Sequence, residues 1–170
     1  MKIWLFVPVL VANAAMVLGA AAGTQAQDSP PGPAQPIPFS HRIHAGTLEL
    51  VCATCHPGSK QGDLMTIVRP SACMQCHASV RTDSPSIQQL AERAQTDQPL
   101  PWVRVYQIPS FVQFSHAAHL KAGSSCQECH GSVIERDQLF RETDLTMTGC
   151  MDCHSTTSAS LDCELCHDGL

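Results

Sequence analysis

The chain has 170 residues, and its 10 Lys and Arg against 15 Asp and Glu give a formal net charge of −5. This acidic balance argues against a nucleic-acid partner, because phosphates attract basic surfaces. Hydrophobic residues make up 44% of the chain but aromatic residues only 5%. Much of the apolar total lies in the N-terminal segment and in ten cysteines, which leaves too little apolar bulk for an ordinary side-chain core.

The N-terminal segment predicts export from the cytoplasm. Lys2 is followed by an apolar run over residues 3–23, and small residues with an acceptable cleavage pattern follow up to Ala26. Residues 1–26 are therefore predicted to be a signal peptide. The alternative is an uncleaved anchor, since the run is about 20 residues long. Pro8 and Asn13 make it a poor one.

A proline-rich linker and a first module follow. Residues 27–38 hold five prolines and are predicted to be extended. Residues 39–80 begin with the phrase F-S-H-x-x-H at 39–44 and contain C-x-x-C-H at 52–56 and 73–77.

Residues 81–113 are predicted to connect two modules. Ser84-Pro85 indicates a helix start, and the apolar residues Ile87, Leu90, Ala91 and Ala94 follow at helical spacing. The prolines within residues 98–101 end this helix. Residues 102–108 alternate in the manner of a strand, or form an extended strap.

Residues 114–170 repeat the first module and add to it. The phrase F-S-H-x-x-H returns at 114–119, and C-x-x-C-H follows at 126–130, 150–154 and 163–167. Phe39, His41 and His44 map onto Phe114, His116 and His119 at a constant offset. The chain is thus predicted to be a two-motif module joined to a three-motif module.

C-x-x-C-H is the attachment sequence for c-type haem. We number the five motifs as sites 1 to 5 in chain order. Each cysteine pair would hold a porphyrin through two thioethers, so the motifs predict five covalently bound c-type haems. The cysteines are Cys52, Cys55, Cys73, Cys76, Cys126, Cys129, Cys150, Cys153, Cys163 and Cys166. The histidines placed to bind iron on the near side are His56, His77, His130, His154 and His167.

Zinc binding and disulfides are the alternatives for these cysteines. Zinc sites also use C-x-x-C pairs, but a zinc site needs only four ligands and does not explain a histidine after every pair. A disulfide scaffold explains the even cysteine count but not the histidines. The remaining four of nine histidines form the pairs His41/His44 and His116/His119. Residues at i and i+3 share one side of a helical turn, so each pair can reach two neighbouring irons.

These motifs resemble the class III multihaem cytochromes c, the cytochrome c3/c7 family. The resemblance covers residues 39–77 and 114–170, and the second stretch has the full trihaem c7 order. Residues 101–111 are also similar to the pentahaem cytochrome subunits of membrane quinol-oxidising assemblies such as alternative complex III. The resemblance implies a mostly irregular chain with short α-helices, little β-structure and a core of packed haems.

The resemblance also implies which histidines bind on the far side of each iron. In the family pattern, as applied to this chain, the second histidine of each pair serves the first haem of its module. His44 and His119 would then serve sites 1 and 3, and His41 and His116 would serve sites 2 and 4. Site 5 has no histidine left. Met147 occupies the position where trihaem relatives have one, and a thioether can bind haem iron. Alternatively, Met147 only packs against a porphyrin. Met65 is less well spaced, and Met74 and Met151 are expected to face outward.

Six-coordinate haems cannot bind substrate at iron, so the function predicted is electron transfer without catalysis. The alternative is a multihaem reductase or gas sensor that uses an open haem at site 5. Redox proteins are the expected partners, for example a membrane quinol oxidoreductase or another cytochrome. Residues 126–170 hold nine acids and two bases, which indicates an acidic end facing a partner or simply a soluble surface. The expected location is the periplasm, with membrane contact only through an uncleaved N-terminus or a partner complex.

Overall fold

The computed structural model describes residues 32–62 and 65–167. Most of this chain is irregular, and seven short α-helices interrupt it. They are α1 (Cys52–Cys55), α2 (Pro70–His77), α3 (Pro85–Gln95), α4 (His116–Lys121), α5 (Cys126–His130), α6 (Met147–Thr156) and α7 (Cys163–Cys166). A π-helical turn spans Arg42–Thr47, and 3₁₀ turns span Pro57–Lys60 and Val133–Glu135. The predicted fold of short helices with little β-structure is confirmed.

The described residues contain no β-strand, only an isolated antiparallel bridge between Val112 and His167. The strand suggested for residues 102–108 is therefore wrong. Alternation alone does not make a strand without a partner backbone. Here the side-chain amide of Gln35 takes that place, because its Nε2 donates to the Val103 oxygen at 2.9 Å. The Val103 N–H donates in turn to Gln35 Oε1 at 3.0 Å.

The connecting helix α3 forms as the sequence predicts. Ser84 is its N-cap and Pro85 its first residue, where a missing N–H costs nothing and the fixed φ suits the helix. The chain leaves the helix before the prolines are reached. Asp97 adopts a φ of 51°, and the Gln98 N–H donates to the Arg93 carbonyl at 2.9 Å. Such a left-handed residue after the last turn commonly ends a helix.

The polypeptide has a very small side-chain core. Ile37, Leu90 and Leu100 are the buried hydrophobic residues of the described chain, and Cys73, Met74, Ile87 and Trp102 pack against them. The expectation that Met74 faces outward is therefore wrong. Helix α2 packs against α3, which turns this side chain toward the cluster. Met151 is 41% exposed, as expected.

The N-terminal predictions lie mostly outside the described residues. The signal peptide predicted for residues 1–26 and the first part of the linker fall there. Residues 32–38 are described, and Gln138 Nε2 donates to the Gly32 carbonyl at 2.7 Å. Among the helices of the described chain, none has the length and apolar character that crossing a bilayer requires.

Candidate haem-binding sites

Every C-x-x-C-H motif lies on or directly at a short helix, so its two cysteines share one helix face. All ten cysteines are described and carry free thiols that are exposed or half-buried. Large apolar side chains beside the motifs are also exposed, for example Val51 at 69%, Leu165 at 52% and Leu48 at 59%. A porphyrin attached at the neighbouring cysteines would cover such side chains. Accessible paired thiols and apolar surroundings both fit a covalent haem.

The histidines of four motifs are oriented by backbone carbonyls. Their Nδ1 atoms lie at hydrogen-bond distance from carbonyl oxygens: His56 from Thr66 at 3.1 Å, His77 from Val80 at 3.1 Å, His154 from Ser160 at 2.7 Å and His167 from Phe111 at 3.2 Å. A carbonyl only accepts, so Nδ1 carries the proton and Nε2 keeps its lone pair. This arrangement is the usual one for a metal-binding imidazole, because it fixes both the tautomer and the ring orientation.

The phrase F-S-H-x-x-H builds nearly the same structure twice. The phenylalanine stacks on the second histidine, with ring centres 4.4 Å apart for Phe39–His44 and 4.5 Å for Phe114–His119. It meets the first histidine edge-on, at 4.9 Å for His41 and 4.7 Å for His116. One aromatic ring thus fixes two imidazoles at nearly right angles to each other.

The serine of the phrase organises the backbone of the turn. The hydroxyl of Ser115 accepts from the Ala118 N–H at 3.3 Å, and that of Ser40 accepts from the Ile43 N–H at 3.1 Å. The serine carbonyls accept from Nδ1 of His119 and His44, both at 2.8 Å. The phenylalanine and serine are therefore positioning residues. Sequence reasoning used them only to recognise a repeat.

The histidines of the two phrases lie opposite histidines of the motifs. Ring centres are 6.1 Å apart for His44–His77, 6.0 Å for His119–His154 and 6.4 Å for His116–His130. The last two rings are almost parallel, at 4°. Two imidazoles that bind one metal ion from opposite sides, each through a bond of about 2 Å, have ring centres about 6 Å apart. These three pairs therefore fit one iron each.

The pairing differs from the one that the family pattern implied. His44 faces His77 of site 2 instead of site 1. His116 faces His130 of site 3, and His119 faces His154 of site 4. These ring contacts favour the opposite assignment, with the first and second histidines exchanged. The two histidines of a turn lie on the same side but point in somewhat different directions, and the packing of the modules decides which motif meets each one.

His41 is the fourth member of this set and lies near site 1. Burial, together with smaller contributions from the charges of His56 and His44, lowers its pKa to about 4. The buried Nδ1 of His41 has no hydrogen-bond partner among the described residues, unlike that of His44. A neutral, half-buried imidazole close to His56 fits an iron ligand, since only the unprotonated ring binds metal.

Tyr106 is a further residue of site 3 that sequence reasoning missed. Its ring meets His130 edge-on with centres 4.9 Å apart, and its hydroxyl accepts from the Glu142 N–H at 3.1 Å. Glu142 itself is held by Arg136, whose Nε lies 2.8 Å from Oε1. Burial lowers the pKa of His130, and the charges of His116 and His56 lower it further. Its ring is thus enclosed on several sides.

Site 5 has a different surrounding. The ring next to His167 is that of Phe111, with centres 6.0 Å apart and planes at 23°. Met147 begins α6 one turn before Cys150 and is 64% exposed. Burial raises the pKa of Cys150, and the charge of Cys166 in site 5 raises that pKa further. Met147 therefore stands on the helix that neighbours this site.

Comparison with known proteins agrees with these features. Residues 112–168 match the family described as cytochrome c7 and related cytochrome c. The multiheme cytochrome c subunit of menaquinone reductase from Nitratidesulfovibrio vulgaris (strain Hildenborough) is 29% identical over 161 residues, covering 78% of this chain and 76% of that protein.

The paired thiols, the oriented imidazoles and these similarities are those of the multihaem c-type cytochromes, a class of proteins that carry covalently bound haem and transfer electrons. Residues 112–168 match the cytochrome c7 family model, and the longer similarity to the menaquinone reductase subunit agrees with a multihaem cytochrome of the c3/c7 type.

Proposed function

We propose that this protein is a pentahaem electron carrier with one covalent haem at each of sites 1 to 5. The observation that carries the proposal is the set of three facing imidazole pairs. Their ring centres are 6.0–6.4 Å apart, which leaves room for one metal ion between the two rings. Each near-side histidine is that of its own motif. The far-side ligands proposed are His41 for site 1, His44 for site 2, His116 for site 3, His119 for site 4 and Met147 for site 5.

The proposed division of labour leaves the chemistry to the haems, which supply reversible one-electron transfer when bound. The polypeptide fixes the imidazoles, excludes water from the ring edges and sets the charge nearby. Closed sites with two protein ligands support electron transfer in preference to catalysis, because substrate would have to displace a ligand. We therefore propose that the chain does not act as an enzyme by itself.

The proposed setting is a membrane quinone oxidoreductase. The menaquinone reductase subunit supports it, because the similarity spans about three quarters of both chains. The predicted signal peptide at residues 1–26 supports export, and covalent haem attachment favours the periplasmic side. A partner would receive or supply electrons at a site near the surface. The acids of residues 126–170 favour a basic docking surface on such a partner.

The haem count is tested by mass. The denatured, mature protein should have the mass of the polypeptide plus five haems, because thioethers survive denaturation. The double variant Cys163→Ala/Cys166→Ala is the matched control and should lose one haem while keeping four. A mature wild-type protein with four haems or fewer would refute the pentahaem proposal.

The ligand at site 5 is tested at Met147. Wild-type protein should show a sulfur-to-iron charge-transfer band, and the potential of this haem should exceed those of the bis-histidine haems, because methionine raises the potential. In Met147→Ala, the band should disappear and one haem should bind carbon monoxide. Met151→Ala is the control on the same helix, since Met151 is also exposed, and it should change neither property. If wild-type protein lacks the band and binds carbon monoxide readily, site 5 is open and a reductase or gas sensor becomes the better proposal.

A further inference from the structure

The two modules meet through a reciprocal contact. The π-helical turn Arg42–Thr47 of the first module packs against the 3₁₀ turn Val133–Glu135, which directly follows site 3. In return, α4 of the second module packs against the 3₁₀ turn Pro57–Lys60, which directly follows site 1. In each module, the turn that carries the histidine pair therefore packs against the 3₁₀ turn that follows the first motif of the other module. This exchange is the pattern of an approximate twofold relation between the modules.

Polar groups define the first of these contacts. The Arg42 N–H donates to the Arg136 carbonyl at 2.9 Å, and the Arg42 guanidinium forms an ion pair with Asp137. The Ser40 hydroxyl donates to the same carboxylate at 2.6 Å. The backbones also approach closely at Gly46, where a Cβ would lie 2.4 Å from the Ile134 carbonyl oxygen. Only glycine fits there without displacing backbone.

Sites 1 and 3 lie at the centre of this contact. Burial raises the pKa of the Cys126 thiol and the Cys52 thiol raises it further, which indicates that the two thiols are neighbours. The two motifs are 74 residues apart in sequence, so only the packing of the modules joins them. His56 of site 1 is also close enough to His130 of site 3 for its charge to act there.

Sites 2 and 4 meet the second histidine of each turn. His44 and His41 share one turn, and His44 faces His77 of site 2. In the second module His119 shares a helix with His116 and faces His154 of site 4. Site 5 adjoins site 4, because the charge of Cys166 is among the causes that raise the pKa of Cys150.

From this packing we infer that the sites follow one another in space in the order 2–1–3–4–5, with the two modules joined head to head through sites 1 and 3. The inference rests on the proposed function for the haems that occupy these sites. Electrons then enter and leave at sites 2 and 5. The alternative, modules joined in sequence order, would place site 2 beside site 3 instead.

Nuclear Overhauser effects in the fully reduced, diamagnetic holoprotein test this order. Each haem is assigned through the β-protons of its own thioether cysteines, and the haem count is taken by mass on the same sample. Cross-peaks are expected between the haems of sites 1 and 3, and none between those of sites 2 and 3. The reverse pattern, in a sample with five haems, would overturn the order while leaving the haem proposal intact. A sample with fewer than five haems would instead contradict the proposed function.

A glycine pair tests the interface itself. Gly46→Ala should weaken or abolish the cross-peaks between sites 1 and 3, while those between sites 1 and 2 and between sites 3 and 4 persist. Gly62→Ala is the control, because a Cβ at Gly62 meets nothing within 4 Å, and its spectrum should match wild type. Unchanged cross-peaks between sites 1 and 3 in Gly46→Ala would show that the modules do not meet through this turn.

Discussion

Replacing His116 with alanine should convert one haem to the high-spin state, and that haem should be the one on Cys126 and Cys129. The reason is geometric, because the His116 ring lies parallel to His130 with centres 6.4 Å apart. Loss of that imidazole leaves its iron with one protein ligand. Covalent attachment should continue, since the cysteines are unchanged. Electron paramagnetic resonance reports the new high-spin signal, and carbon monoxide binding reports the open position.

His119→Ala is the matched variant for the same phrase. It should leave the haem on Cys150 and Cys153 high-spin, because His119 faces His154 at 6.0 Å. The two variants are distinguished by the nuclear magnetic resonance signals of the affected haem. If the two results are exchanged, the family-based pairing is right and the ring contacts described above do not represent axial pairs. If both variants remain fully low-spin, neither histidine is a ligand.

The second large effect is expected for Gly131→Ala, which should lower the free energy of unfolding. Gly131 has φ 72° and ψ −164°, a conformation almost restricted to glycine that costs other residues about 1–3 kcal/mol. An added Cβ would also lie 2.7 Å from Cβ of Glu142. Displacing Glu142 would loosen its pair with Arg136, and forced contacts of this kind cost about 1–3 kcal/mol more.

Gly123→Ala separates the two contributions. Gly123 also has a positive φ, 99°, but a Cβ there meets nothing within 4 Å. The free energy of unfolding of Gly123→Ala should therefore fall only by the backbone contribution. Denaturant unfolding of the holoproteins, followed by circular dichroism, measures both variants. Equal losses in the two would mean that the Glu142 contact is relieved without cost.

The elements that sequence predicts well here are local ones. Helix α3 follows from Ser84-Pro85 and from apolar residues at helical spacing, because its start signal and its periodicity lie within one stretch of chain. The short helices at the motifs follow likewise from the need to bring two cysteines to one face. The strand suggested at residues 102–108 failed because a strand needs a partner, and no sequence pattern states that Gln35 will occupy that place.

In the candidate sites, too, the local features could be predicted and the long-range contacts could not. The motifs identify which cysteines and histidines belong to the sites. The role of each individual residue as a ligand remains a prediction. The pairing of rings could not be predicted, because it depends on how residues 40–46 meet residues 133–137. The sequence also does not reveal which carbonyls orient the imidazoles. His167 bonds to Phe111, 56 residues earlier, and no local rule connects the two.

The reciprocal contact between the modules has a consequence for direction. Two such modules alone would form a palindrome, with sites 2 and 4 as equivalent ends, and a donor could not distinguish one end from the other. The additional C-terminal motif at residues 163–167 removes that equivalence. It lengthens one arm, and its surroundings include Phe111 instead of a second imidazole. In the inferred order, a duplicated and otherwise non-directional unit would owe its polarity to residues 160–167.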